Sequence, residues 1–136
     1  MTNEELHKYF YEKHQNFWEK VIEIANKKKY PKIIYIKTKA HIILYPNIKL
    51  ICNCFGCHFT YTFTFTFQNV YIHRVDCNRC FLNLKCNDKN SLYYKLRYLF
   101  RSKKEFISLC EKIRDCGFHI TRSKTKMMKL YKEMNK

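Results

Sequence analysis

A chain of 136 residues with 27 lysines and arginines against 11 acidic residues carries a formal charge of +16, a field that favours polyanions: nucleic acid, acidic protein faces or anionic membrane. Its 46% hydrophobic content suffices for one modest core, while two glycines and two prolines exclude glycine-rich phosphate loops, collagen-like repeats and proline-rich linkers. No apolar run approaches the ~20 residues of a membrane span, and the charged start MTNEELHKYFYEKHQ lacks the apolar centre of a signal peptide. The expectation is a soluble, intracellular chain with no membrane partner and with reduced thiols, where clustered cysteines favour metal over disulfides.

Thr2-Asn3-Glu4-Glu5 fits a capping box, and Leu6, Phe10, Phe17, Val21 and Ile24 follow near one stripe at helical spacing, widened by Tyr9, Tyr11 and Trp18. The spacing predicts a helix over residues 3–28, ending in NKKKYP, where basic side chains suit a helix C-terminus and Pro31 prevents continuation. His7 and His14 lie on it without a second ligand type at i+4, so they read as satisfied or exposed histidines. From residue 33 to residue 51 the runs KIIYIK, HIILY and IKLIC, broken by TKA and Pro46-Asn47, predict two or three antiparallel strands.

Cys54-x-x-Cys57 and Cys77-x-x-Cys80 then flank residues 58–76. Paired CxxC motifs at such a distance are a strong zinc signature, because each can wrap one side of a tetrahedral ion with Zn–S near ~2.3 Å. Between them Phe59, Tyr61, Phe63, Phe65 and Phe67 alternate with Thr60, Thr62, Thr64 and Thr66, a period of two that predicts a strand with one aromatic and one polar face. Gln68-Asn69 reads as a two-residue turn. It sets Phe67 opposite Val70, Phe65 opposite Ile72 and Phe63 opposite Arg74. Continuing that ladder puts Cys57 opposite Cys80, so the hairpin brings both thiolate pairs to one end. The predicted ligands of one structural Zn2+ are Cys54, Cys57, Cys77 and Cys80, with Cys52 as an alternative ligand and His73 as a substitute within a distorted site. The rival reading is that these thiols are reduced core residues; Cys110 and Cys116, in the helical region, are expected in the core.

After Cys86, NDKNS marks a loop and helix start. Leu92, Leu96, Leu99 and Phe100, and then Phe106, Ile107, Leu109, Cys110 and Ile113, predict one helix broken near Ser102 or two short ones, with Gly117 as the stop. The basic tail reads as a short helix, with ordering on a partner as the alternative. Lys95, Arg97, Arg101, Lys103 and Lys104 interleave with aromatics, and Arg122, Lys124 and Lys126 follow; together they are candidate phosphate contacts with DNA or RNA. The competing reading makes the Tyr and Leu side chains core and the cations a solvated helix face. Cys110 or Cys116 with His119 forms no ordered nucleophile pair, no carboxylate cluster suggests a metal hydrolase, and a four-thiolate site is closed, so no enzyme is expected. The whole reads as one α+β domain, residues 1–136: a long N-terminal helix, an antiparallel sheet with metal-binding hairpin over residues 33–86, and a basic helical region over residues 90–134.

CFGC and CNRC joined by a β-hairpin resemble the zinc ribbon over about residues 48–86, with FLNLKC as a third strand. Zinc ribbons are common in transcription machinery, so this resemblance implies a transcription accessory factor or small RNA polymerase subunit; the tip Phe67-Gln68-Asn69-Val70 lacks the acidic pair of ribbons that enter a polymerase active centre. Short, basic, cysteine-rich and rich in Lys, Asn and Tyr, the chain also resembles small late proteins of baculoviruses. In size it is similar to their RING- or U-box-like nucleocapsid assembly proteins, through Cys52, Cys54, Cys57, Cys77 and Cys80. That resemblance implies a non-enzymatic assembly or scaffold protein in the nucleocapsid of a large DNA virus, located in host nucleus and virion, with capsid proteins and nucleic acid as partners. C-x-C-x-x-C also resembles the middle of a RING finger, implying a ubiquitin-ligase adaptor, but the eight ligands of a full RING are not present at the right spacing.

Overall fold

Helix α1 (Asn3–Asn26) starts with the expected capping box: Thr2 Oγ1 accepts from the Glu5 N–H, and Glu5 accepts from the Thr2 N–H. Leu6, Phe10, Phe17, Trp18, Val21 and Ile24 are all buried along one side of it. The computed structural model describes residues 1–86 and 88–136, without the side chains of residues 62–65 and 71–74. Around α1 stand α2 (Ile33–Leu44), α5 (Lys103–Arg114) and α6 (Lys124–Met134), with α4 (Leu92–Tyr98) packed on α5 and α2. A short helix α3 (Phe55–Thr60) leads into a hairpin of β1 (Tyr61–Phe67) and β2 (Val70–Val75).

The fold is mostly helical, with six α-helices among the described residues; it is not α+β built on an antiparallel sheet. The expected strands over residues 33–51 are replaced by α2 and a 3-10 turn at Ile51–Asn53. The physical reason is tertiary: Ile33, Ile36, Lys37 and Ala40, at i, i+3, i+4 and i+7, form one buried face. Burying that face against α1 outweighs the strand preference of β-branched residues, which is weak and context-dependent. The third strand also fails to form, because Leu82 bridges to Phe118 instead of pairing with the hairpin.

In the hairpin, Gln68 and Asn69 both have positive φ (51° and 64°), the backbone of a tight two-residue turn. Phe67 pairs with Val70, Phe65 with Ile72 and Phe63 with Arg74. Phe59 and Thr60, expected in the strand, belong to α3. The two-faced character expected of Thr62, Phe63, Thr64 and Phe65, and the side chain of His73, lie outside the described residues.

The chain after Ser91 forms two helices separated at Ser102, whose hydroxyl caps α5 by accepting from the Glu105 N–H. Gly117 (φ 81°) takes the left-handed backbone beyond the C-cap Asp115 and donates its N–H to the Tyr11 hydroxyl. The tail needs no outside partner to order: α6 buries Met127 and Leu130, Tyr131 packs edge-on to Tyr9 at 4.9 Å, and Asn135 donates to the Tyr9 hydroxyl. Both α1 histidines are buried and bonded. His7 Nε2 accepts from the Thr121 N–H at 2.9 Å, so its Nδ1 donates to the Asn3 carbonyl at 2.7 Å; His14 Nε2 donates to the Ile113 carbonyl at 2.9 Å. No helix among the described residues is long and apolar enough to cross a membrane.

Burial pushes the His14 imidazole down to about 4, against the pull of its Ile113 bond. A depressed pKa means that the unfolded chain takes up the proton first. His14 therefore contributes its full stability above pH ~6.5 and loses it as pH falls towards 4. Urea unfolding at pH 7 and pH 4.5 should differ by on the order of 2–3 kcal/mol more for the native chain than for His14→Gln, which keeps a donor to Ile113. Equal pH dependence of the two proteins would contradict this assignment.

Candidate metal centre

Cysteines 52, 54 and 57 are placed by an aromatic anchor. Phe55 and Phe59, one helical turn apart, are buried, with ring centres 5.7 and 4.8 Å from Phe10; Phe59 also meets Phe81 at 5.8 Å. This pins α3 to α1. Positive φ at Cys52 and Asn53 (58° and 50°) turns the backbone immediately before it. Cys54 is the N-cap of α3, and the nearby backbone amides of Cys57 and Gly56 favour the ionised form of its sulfur. The second pair is carried by the 3-10 turn Cys77–Arg79, which the Asp76 carboxylate caps by accepting from the Asn78 N–H. Cys80 follows it.

The two pairs do not meet as a continued ladder. The register shifts between Tyr61 and Phe63, the last paired residues are Tyr61 and Val75, and the Asp76 N–H then reaches the Thr60 carbonyl. Beyond that point one strand becomes α3 and the other the 3-10 turn, so Cys57 does not face Cys80 as a ladder partner. They nevertheless converge at the same end of the hairpin, and Gly56 is the meeting point. A Cβ at Gly56 would lie 2.4 Å from Cys80 Sγ, 3.3 Å from Leu82 Cδ1 and 3.7 Å from Cys54 Sγ. Sulfurs from both CxxC motifs thus press on one backbone position, where the sequence has the residue without a side chain.

All eight cysteines are free. Cys52 and Cys54 beside the Cys57 thiol hold its proton in place and raise its pKa. The neighbouring Cys57, with Lys37 and the nearby backbone amides, lowers Cys54 to about 5; Cys57 also brings Cys52 down to about 7. Burial raises Cys77 and Cys80, and raises Cys86 to about 12, with the charge of Cys54 adding to each. Cys54 and six other thiols, Cys116 included, therefore share one electrostatic neighbourhood. Among the described residues, no group of three or more His, Cys, Asp or Glu side chains has metal-holding geometry as it stands.

No protein-family model matches the chain, and neither a curated protein nor a solved structure is significantly similar to it. The site must speak for itself. Its donors are soft thiolates, which suit zinc, and they sit on segments that close on a common point. Cys54, Cys57, Cys77 and Cys80 are the set the two motifs supply; Cys52 and Cys86 lie in the same field.

Lys37 is the functional residue that sequence reading missed. It is buried on the inner face of α2, donating to the Cys52 carbonyl at 3.2 Å and the Tyr93 hydroxyl at 3.4 Å, with its ammonium 4.8 Å from the Tyr93 ring centre. Burial opposes its charge, but Tyr93, Cys54 and Cys57 more than offset that, and its pKa stands above the ordinary value. A buried cation needs polar partners; here they are the Cys52 carbonyl and the Tyr93 hydroxyl, with the nearby Cys54 and Cys57 sulfurs favouring the charged form. The available signal was a lysine inside the apolar run IIYIKTKAHIIL. Cys110 is buried in α5, as expected of a core thiol. Cys116 is pushed up to about 11 by burial and lies 3.8 Å from His14 Nε2, whereas His119 bonds Asn83 at 2.8 Å. The structure does not bring Cys116 and His119 together as a nucleophile pair.

The eight candidate phosphate contacts fall on two regions. Lys95 and Arg97 are exposed on α4, Arg101 follows it, and Lys103 and Lys104 open α5. Lys103 is committed to closing the α1 C-terminus, donating to the Asn26 carbonyl at 2.6 Å. Of the interleaved aromatics, Tyr93 and Tyr94 are half-buried while Tyr98 is exposed, with Arg97 above its ring. Arg122 and Lys124 are exposed at the start of α6, and Lys126 donates to the Tyr61 carbonyl at 2.8 Å. Arg122 and Lys126 line a groove of about 730 Å³ with Arg79, His119 and Thr125, where Asp76 pairs with Arg79 at 3.2 Å.

Two substitutions probe the centre without touching a thiol. Gly→Ala inside a helix normally stabilises by up to about 1 kcal/mol. Gly56→Ala should instead destabilise by roughly 1–3 kcal/mol, because its methyl displaces Cys80, and it should weaken metal binding; a stabilised variant with unchanged affinity would show that Gly56 is not packed on the centre. Lys37→Met keeps similar volume but removes the cation. Zinc affinity, read by competition with a chromophoric chelator, should fall about 10–100-fold, the usual effect of removing a group that supports the ligands. An unchanged affinity would remove Lys37 from the site.

Proposed function

We propose that the chain is a non-enzymatic, zinc-stabilised basic assembly protein working against nucleic acid. The observation that carries the metal is the convergence of Cys54 and Cys80 on Gly56 from segments separated by the hairpin, with all thiols free and a buried lysine beside them. A single zinc bound by Cys54, Cys57, Cys77 and Cys80 has a structural role: it ties α3 to the turn after β2 and supplies cohesion that a small core lacks. A net charge of +16 and the groove holding Arg79, His119, Arg122 and Lys126 support contact with phosphates rather than with base edges. The nucleocapsid of a large DNA virus is the setting suggested by the sequence resemblance, and capsid proteins are then the partners.

Elemental analysis with native mass of protein purified under reducing conditions should give one zinc per chain, lost on strong chelation. Cys80→Ser should lose it as well. Metal-free protein with a Cys54–Cys57 disulfide would overturn the zinc reading in favour of a redox dithiol. Gel shift on duplex DNA should weaken roughly 100-fold between 50 and 200 mM salt if about four phosphates are neutralised. The double variant Arg122→Glu/Lys124→Glu should flatten that slope, and a salt-independent shift would discard the phosphate contact.

A further inference from the structure

Helix α2 has a second face. Its inner side buries Ile33, Ile36, Lys37 and Ala40, while its outer side holds two rows at i, i+4 and i+8: Ile34–Thr38–Ile42 and Tyr35–Lys39–Ile43. The apolar members are half or more exposed: Ile34 51%, Tyr35 72%, Ile42 61% and Ile43 50%, with Tyr30 at 78% just before the helix. Single exposed apolar residues need no explanation, but five on one helix and its lead-in form a patch. Its surroundings carry one sign of charge. Lys27, Lys28, Lys29 and Lys32 precede it, Lys39 stands within it, and no Asp or Glu occurs anywhere between Glu23 and Asp76.

We propose that this face docks an amphipathic helix of a partner protein whose apolar stripe is rimmed by Asp and Glu. Two parallel i/i+4 rows form the ridge-and-groove surface that a second helix packs against. The charge selects the occupant. A second copy of this chain would bring lysine rims and Lys39 against themselves, a like-charge arrangement that disfavours association. A lipid surface would let Lys39, in the middle of the face between Tyr35 and Ile43, snorkel to headgroups, but it offers that lysine no fixed carboxylate and the i/i+4 rows no ridge to pack against. A carboxylate opposite Lys39 satisfies it, and an acidic rim meets the lysines on either side. The inference names the partner chemistry of the assembly role and rests on that reading for its setting, but it requires neither zinc nor DNA to be bound at this face.

The test is a display selection of amphipathic helical peptides with a fixed leucine stripe and rim positions varied among Glu, Lys and Ser, against the intact zinc-loaded protein and against Ile42→Asp. Glu-rimmed peptides should be enriched on the native chain, and a chosen one should bind at least 10-fold more weakly to Ile42→Asp and to Lys39→Glu. The substituted side chains are exposed, so melting temperature, zinc content and DNA shift should be unchanged; those controls separate failure here from failure of the assembly reading. Enrichment without rim preference, or equal binding by the variants, would overturn the proposal. So would sedimentation showing self-association abolished by Ile42→Asp, or binding to phosphatidylserine vesicles abolished by the same change.

Discussion

The contact between Gly56 and the sulfur of Cys80 is the constraint on which the candidate site depends. It is made across the two arms of the hairpin, and it can exist only because Phe55 and Phe59 hold α3 against Phe10 and Phe81. The helical core thus fixes one arm, the sulfur contact fixes the other to it, and the ribbon of β1 and β2 projects from the junction with its tip residues Phe67–Val70 exposed. Isolated two-stranded ribbons are marginal in water. Packing the base of this one on the helical core through Gly56 and Cys80, rather than extending it with further strands, reconciles a hairpin with a helical protein.

Charge is organised in the same economical way. Of the clustered thiols, Cys54 and Cys52 are held below the ordinary range, and Lys37 comes in beside them from α2, bonded to the Cys52 carbonyl and lying by the Tyr93 ring. The same helix therefore faces two ways. Its inner side sets Lys37 by the cysteines, and its outer side presents apolar rows in a wholly basic stretch. A change in α2 that shifts its axis would be felt at both, although no residue is shared between the two faces.

Much of the fold is legible in the order of residues where local and tertiary preferences agree. Thr2 and Glu5 announce the start of α1, the spacing of Leu6, Phe10, Phe17, Val21 and Ile24 gives its buried side, and Gln68-Asn69 sets the hairpin pairing. Legibility ends where they conflict. Residues 33–44 have strand-forming composition, and the lysine that fills their buried helical face looks like an interruption until its polar partners are known. The ladder extrapolation from Phe67 and Val70 towards Cys57 and Cys80 assumed uniform strands. It failed because Phe55 and Phe59 gain more by packing as a helical turn on α1 than by continuing the ribbon. The candidate ligands were therefore found by motif spacing, whereas Gly56 and Lys37, which organise them, depend on contacts distant in sequence.

The bonds joining α1 to the far end of the chain have a consequence for how the protein is made. His7 Nε2 accepts from the Thr121 N–H, and Tyr9 meets Tyr131 and Asn135. Helix α1 is thus closed on one side by segments 114 to 126 residues further along the sequence, while α2 and α5 cover the rest of its apolar stripe. Contacts of such long sequence separation form slowly, which makes the docking of α6 on Tyr9 a late step in assembling this core.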